Sequence, residues 1–216
     1  MKIDVLTLFP EMIEQALSWS IPSRAQKGGQ VEIKAHLLRD WGVDKHGNVD
    51  DTPYGGSPGM VLRVDVAQQA LEAIDPGHKA WRIMLSPDGQ LFNQKVAQVL
   101  SAKDHLVILC GRYEGFDARI EKYIDQKLSV GQYVVSGGEL PALVVIDAVT
   151  RLIPGVLGNV KSLANETFEG DVTDFPQYTR PDTYDGQSVP EVLKSGHHAE
   201  IESWRKNQQR RLDSGN

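Results

Sequence analysis

Three short glycine-bearing segments hold the side chains and backbone that could do chemistry: Leu85-Ser86-Pro87-Asp88-Gly89, Gly111-Arg112-Tyr113-Glu114-Gly115 and Ser136-Gly137-Gly138-Glu139-Leu140-Pro141. Glycine removes the steric barrier to positive φ and leaves N–H and C=O groups exposed, so such loops can hold an adenine edge or a ribose without a charged side chain. One such loop alone reads as an ordinary turn. Three at successive strand ends point to a nucleotide-like ligand, because open parallel sheets bind ligands beyond the carboxyl ends of their strands. None matches the Gly-x-Gly-x-x-Gly fingerprint or the Gly-x-x-x-x-Gly-Lys phosphate loop, which disfavours a Rossmann dehydrogenase and a P-loop NTPase. A fourth segment, Asp50-Asp51-Thr52-Pro53-Tyr54-Gly55-Gly56-Ser57-Pro58-Gly59-Met60, is dense in acids, prolines and glycines. Composition leaves open whether it is a stiff surface turn or a functional lid. His46, His197 and His198 are not spaced with cysteines or acids as a zinc site requires, so no metal site is expected from the residues.

The elements that must position these loops follow from periodicity. Ile3–Leu8, Trp81–Leu85 and Leu106–Cys110 are continuous apolar runs of strand length, while Val31–Ala35 alternates apolar and polar residues. Lys127–Val130 and Tyr133–Val135 read as further short strands. Helices are expected after Pro10, after Asp65 as cap, after Asn93 with Val96, Val99 and Leu100 on one face, after Asp117, and from the Ser136–Pro141 segment onward. Residues 42–60 read as a long loop. Apolar strands alternating with amphipathic helices predict an α/β fold, a mostly parallel sheet flanked by helices. Periodicity fades from Pro154 to Thr183, and two helices, Val189–Leu193 and Ala199–Leu212, make a small helical C-terminal domain. The expected boundaries are 1–158 for the main domain, 159–175 for a flexible linker and 176–216 for the helical tail.

Composition bounds the function. The 216 residues are 40% hydrophobic and 24% charged, enough to bury a core. The longest apolar run, Leu140–Val149, contains Asp147 and falls short of the roughly 20 residues of a membrane span. Asp4 and Pro10 interrupt the start before an export signal could form. The single cysteine, Cys110, excludes an internal disulfide and suits a cytoplasmic protein. A net charge of −6 argues against binding nucleic acid through the overall field, although Arg205, Lys206, Arg210 and Arg211 form a local basic cluster.

Longer strings carry a specific resemblance. Leu8-Phe9-Pro10-Glu11-Met12, Asp50–Gly56, Pro58-Gly59-Met60, Leu85-Ser86-Pro87, Cys110–Gly115, Ser136–Pro141, Ile153–Gly158, Pro176–Pro181 and Ser195–Ile201 resemble the bacterial tRNA (guanine-N1)-methyltransferases of the TrmD family, in the SPOUT class of knotted methyltransferases. The resemblance runs from the first residues to about Arg205. It implies a trefoil knot in the main domain, S-adenosylmethionine as cofactor, tRNA as substrate, and a homodimer whose active sites draw on both subunits. It implies that Leu85, Ser86, Pro87, Gly111, Tyr113, Gly115, Ser129, Val130, Gly131, Tyr133, Val134, Gly138 and Pro141 line the cofactor pocket. Asp50, His46, Tyr54, Gly55 and Gly59 fall in the segment it assigns to the substrate, and magnesium (Mg2+) is implied as a possible further requirement.

Methylation of N1 of the guanosine 3′ of the anticodon, position 37, needs a base, because that nitrogen carries a proton at neutral pH. The resemblance implies Arg151 as the group that offsets charge on the guanine oxygen, and Glu114 as a partner of the guanine edge. The base position falls on Glu166, where the family pattern has aspartate. The extra methylene keeps the carboxylate chemistry and alters its placement. Asp171 and Asp174 in the same stretch are the alternative bases. Two other readings are a related SPOUT enzyme with another RNA target and a non-catalytic RNA-binding module.

Overall fold

The computed structural model describes residues 1–157 and 173–210, and the chain divides into two compact units, Met1–Gly158 and Asn159–Asn216. The first unit runs β1 (Lys2–Thr7), α1 (Pro10–Leu17), α2 (Ser20–Lys27), β2 (Glu32–Leu37), a 3-10 helix (Leu38–Trp41), β3 (Asp50–Asp51), β4 (Val61–Leu62) and α3 (Val64–Ile74). It continues with β5 (Trp81–Leu91), α4 (Gln94–Ser101), β6 (His105–Cys110), a second 3-10 helix (Ala118–Tyr123), β7 (Gln126–Ser129) and α5 (Glu139–Leu152).

The main sheet has the order β2-β1-β6-β5-β7, and every neighbouring pair in it is parallel. Parallel neighbours require crossover connections, which puts helices on both faces and buries the strands on both sides. Side chains alternate accordingly. Ile3, Val5, Ile83, Leu85, Leu106, Ile108 and Cys110 pack with Ile13 and Leu17 of α1, Val96 and Leu100 of α4, and Val145, Ile146 and Val149 of α5. On the opposite face Leu6, Met84, Val107 and Leu109 pack with Val66, Ala67, Ala70 and Leu71 of α3 and with Leu38 and Ile120 of the 3-10 helices. The strand period of two thus builds two separate cores from one set of apolar runs.

Buried charges are paired. Asp4, on β1 between β2 and β6, meets Lys2 at 2.7 Å, His36 at 2.7 Å and His105 at 2.6 Å. Burial pushes its carboxyl up, but these hydrogen bonds outweigh that and hold it below the usual carboxylate range. At the end of α3, Asp75 is 3% exposed and accepts from Arg82 Nε at 2.8 Å and from the backbone N–H groups of Lys79 and Ala80. Burial again raises this carboxyl, and the hydrogen bonds again win and lower it.

Several elements differ from the sequence reading. Tyr133–Val135 is not a strand, and the third glycine segment instead hangs from a long bend after β7. β5 continues through the Ser86–Gly89 segment to Leu91, its pairing with β7 shifting register between Leu85 and Gln90. Val99 of α4 is 60% exposed, because Ala97 takes the buried place beside Val96 and Leu100. α3 begins one residue before Asp65, with Arg63 at its cap position and Asp65 accepting from Val66 N. Asp117 opens a 3-10 helix rather than an α-helix, its carboxylate accepting from Arg119 N. The segment 42–60 contains β3, which pairs antiparallel with β4.

In the second unit a hairpin of β8 (Thr183–Tyr184) and β9 (Gln187–Ser188) turns through Asp185 and Gly186, both at positive φ, and precedes α6 (Glu191–Lys194) and α7 (His198–Gln208). Trp204 of α7 lies 6.2 Å from Tyr178 between ring centroids, and Arg205 stacks over Phe175 at 4.9 Å. Leu212 and Arg211 lie outside the described residues, as does most of the expected linker 159–175.

The Asp75–Arg82 pair generates a stability prediction. Asp75→Asn leaves a buried guanidinium without its anion and should cost roughly 3 kcal/mol in urea unfolding at pH 7. Because the folded carboxyl is lowered, its contribution is complete above the unfolded value of about 4 and is lost as pH falls through the folded value. The stability gap between the two chains should therefore narrow in acid, and a constant gap from pH 7 to pH 3 would contradict this assignment.

Candidate active site

The carboxyl ends of β5, β6 and β7 open onto one cavity of about 530 Å³ in the first unit. Its wall includes Leu85, Ser86 and Pro87 from β5, Gly111, Tyr113, Glu114 and Gly115 from the loop after β6, and Ser129, Val130, Gly131, Tyr133, Val134, Gly138 and Pro141 from β7, the following bend and the start of α5. Every residue assigned to the cofactor by resemblance is on that wall, and so is Glu114. The wall also holds Asp88, Arg112, Glu121 and Lys127, which the sequence reading did not single out.

Close backbone approach builds the cavity. Gly138 N donates to the Gly111 carbonyl at 2.8 Å, and a Cβ on Gly138 would lie 2.6 Å from Cys110 Cα. Only glycine lets the start of α5 press this tightly on the end of β6. Gly89 does the same for β5 and β7, since a Cβ there would meet the Leu128 backbone nitrogen at 2.6 Å. Cys110 is fully buried beneath this contact, and burial drives its thiol well above its usual value, so it packs as a small apolar residue.

At the rim, Lys127 binds Asp88 at 2.6 Å and Glu121 at 2.7 Å, and the Ser86 hydroxyl also donates to Asp88. Hydrogen bonds from Lys127 first, and from Ser86, hold the Asp88 carboxyl below its usual range, while the two acids raise the Lys127 ammonium. Arg112 Nε donates to Glu139 at 2.9 Å, and Glu139 is fully buried.

The segment expected to meet the substrate joins this wall through backbone. Glu114 N donates to the Met60 carbonyl at 3.0 Å, Leu62 N to the Gly115 carbonyl at 2.9 Å, and Asp117 N to the Leu62 carbonyl at 2.9 Å. Gly59, at φ +91°, sits against Glu114, where a Cβ would come 2.6 Å from Cγ. Asp50 lies opposite Leu62 in the β3–β4 pair. His46, Tyr54 and Gly55 are exposed on the same segment and do not line the cavity, Tyr54 being 99% exposed. Arg151 stands in the last turn of α5. Ten residues beyond Pro141 at about 1.5 Å each, it is ~15 Å along the helix from the cavity wall. Asp174 belongs to the second unit. Glu166 and Asp171 lie outside the described residues. Among the described residues no group of three or more His, Cys, Asp or Glu side chains is placed to hold a metal ion. No helix among them is long and apolar enough to cross a membrane.

The backbone contact under Gly138 can be probed directly. Gly138→Ala must push α5 off β6, and overpacking of this kind should cost about 2 kcal/mol in unfolding experiments. An unchanged unfolding midpoint would show that the approach is not constrained as described.

Comparison with known proteins bears on what this site is for. A family model described as tRNA (Guanine-1)-methyltransferase TrmD matches residues 1–214. Proteins named tRNA (guanine-N(1)-)-methyltransferase are similar along most of both chains. The one from Ruminiclostridium cellulolyticum is 50% identical over 96% of this chain and 91% of its own length. The Carboxydothermus hydrogenoformans protein is 49% identical over 96% and 82%, and the Dictyoglomus turgidum protein 47% identical over 95% and 84%. With a match of that extent, the chain belongs to the tRNA (guanine-1)-methyltransferase TrmD family.

Proposed function

We propose that the chain transfers the methyl group of S-adenosylmethionine to N1 of the guanosine immediately 3′ of the anticodon, position 37, in tRNA, acting in the cytoplasm. The observation that carries this reading is that every residue assigned to the methyl donor by family resemblance lies on one cavity of about 530 Å³, within the range of small-molecule sites. Glycine at Gly111, Gly115, Gly131 and Gly138 puts no side chain on the wall, so an adenine edge and ribose can come close to the backbone there. When bound, the cofactor supplies a methyl group already activated on its sulfonium.

The protein's own work is then positioning and proton removal. Glu114 and Asp50 accept hydrogen bonds from the guanine edge, and Tyr54, Gly55, Gly59 and His46 shape the surface beside it. Arg151 offsets negative charge on the guanine oxygen. The carboxylate of Glu166 takes the N1 proton as the N1–methyl bond forms and the methyl–sulfur bond breaks, with Asp171 and Asp174 as the alternative bases. Residues 1–158 act as the knotted donor domain, 159–175 as a linker and 176–216 as a tRNA-binding tail carrying Arg205, Lys206 and Arg210.

A homodimer with shared sites follows from the same reading. Arg151 stands ~15 Å along α5 from the cavity wall, so a site that uses both is completed more readily by a second copy. The exposed face of α5 carries Leu140 and Val144, 56% and 51% exposed, with Asp147 beside them, and exposed apolar side chains of this kind suit a subunit contact. Val144→Glu should shift the chain to monomer in sedimentation and abolish methylation.

Transfer of a labelled methyl group to unmodified tRNA tests the activity. Guanosine 3′ of the anticodon should be methylated and adenosine there should not, and equal labelling of both would defeat the specificity. Glu166→Gln should slow transfer by roughly 10²–10³-fold, as loss of a general base does, with Asp171→Asn and Asp174→Asn near the parent rate. Full activity in Glu166→Gln would move the base elsewhere.

A further inference from the structure

Among the charged side chains on the cavity wall, Arg112 is the one whose guanidinium is turned into the protein. Its side chain is 20% exposed, against 67% for Asp88 and 51% for Glu121 on the same wall; Lys127, at 25%, is nearly as sheltered but is held by those two acids. Nε donates to one oxygen of Glu139 at 2.9 Å, Nη1 donates to the Ser136 carbonyl at 3.3 Å, and Nη2 lies 3.7 Å from the Met12 sulfur. The guanidinium plane stacks over Phe9 at 4.5 Å. The second oxygen of Glu139 accepts from the Thr7 hydroxyl at 2.7 Å, and that hydroxyl accepts from Phe9 N at 2.9 Å. A continuous set of hydrogen bonds therefore runs from the end of β1, through the first residue of α5, to the loop after β6.

The glycines beside it are sized for this arginine. A Cβ on Gly137 would lie 2.2 Å from Arg112 Nε, so the segment before α5 can pass the side chain only where it carries no side chain of its own. Gly138 then reaches the Gly111 carbonyl. The segments 111–115 and 136–138 adjoin on the cavity wall, and the Arg112 side chain ties them together through Glu139 and Ser136.

We propose that Arg112 is a positioning residue for the methyl donor. It sets the spacing between the Gly111–Gly115 and Ser136–Gly138 segments and touches neither donor nor tRNA itself. This rests on the reading of the cavity as the donor site. Lysine at this position keeps the charge but offers one nitrogen in place of a planar fork, so it cannot hold Glu139 and Ser136 together while stacking on Phe9.

The test is binding of S-adenosylhomocysteine by calorimetry, with donor KM, tRNA KM and kcat, for the parent chain, Arg112→Ala, Arg112→Lys, Gly137→Ala and the Arg112→Ala/Gly137→Ala double variant. Arg112→Ala should weaken uptake and raise donor KM by about 10-fold or more, with tRNA KM within about twofold of the parent. Arg112→Lys should do the same. Gly137→Ala leaves the arginine chemically intact but displaces it, and should weaken uptake in the same direction. In the double variant the added methyl has room, so uptake should match Arg112→Ala alone, the non-additivity expected of residues in one network. If Arg112→Ala does not fold, Gly137→Ala and the buried, near-isosteric Thr7→Val carry the test, both with raised donor KM. Rescue by lysine, or additive losses in the double variant, would mean direct contact with a charged ligand and would overturn the proposal. Uptake by the parent chain with unchanged uptake in Arg112→Ala would overturn this proposal alone. No uptake by the parent chain would overturn the donor reading, and this one with it.

Discussion

Placing a carboxylate at the first position of a helix and then burying it completely is costly unless both oxygens are occupied. Glu139 meets that demand with Thr7 from β1 and Arg112 from the loop after β6, and the demand fixes where α5 can start. The negative group also faces the positive end of α5, which favours it there. Once α5 is anchored, Gly138 has to lie on Cys110 and Gly111, and Pro141 has to face the cavity. The apolar side of α5, through Val145, Ile146 and Val149, then closes the core on one face of the sheet. One buried ion pair thus sets the geometry of both the site and the largest packed layer.

The same economy links the two halves of the site. β4 is only two residues long, yet Leu62 is fully buried and its backbone pairs with the loop that carries Glu114. A two-residue strand contributes little on its own. Its backbone bonds to Gly115 and Asp117 make the Asp50–Met60 segment an extension of the cavity wall, so a change in either loop is felt in the other. Gly59 against Glu114 is the point of tightest contact, where positive φ and the absent side chain are both needed.

What could be read from the residues alone was whatever local periodicity decides. The continuous apolar runs gave β1, β6 and the first half of β5 in place, and glycine placement marked the segments on which the cavity forms. Cys110 is buried as its type suggests. Periodicity failed where tertiary packing chose between near-equivalent faces, as at α4, where small Ala97 fits under α5 and larger Val99 is turned out. It failed at Tyr133–Val135, whose β-prone side chains bend around the cavity instead of pairing. The Asp185-Gly186 turn was a hairpin signal of the strongest short-range kind, hidden between strands of only two residues. The roles of Arg112, Asp88 and Lys127 were not legible for a different reason. Arg112 and Glu139 are 27 residues apart, and Asp88 and Lys127 39 apart, so only the sheet order makes them neighbours.

The length of α5 bears on the assembly as well. Its first turn shapes the cavity and its last turn carries Arg151, and a straight helix cannot bring its own two ends together. A site that needs both ends at one guanine has two routes, a large rearrangement of the chain or a second copy placed antiparallel along α5. The helix is held on one side by the core residues Ala142, Val145, Ile146 and Val149, all fully buried, which makes displacement within the chain expensive. Its other side offers Leu140 and Val144 to solvent. An antiparallel pairing about a twofold axis would lay these faces together and carry each Arg151 toward the opposite cavity, so in the proposed dimer the packing that immobilises α5 in one chain favours completion of the site by the second.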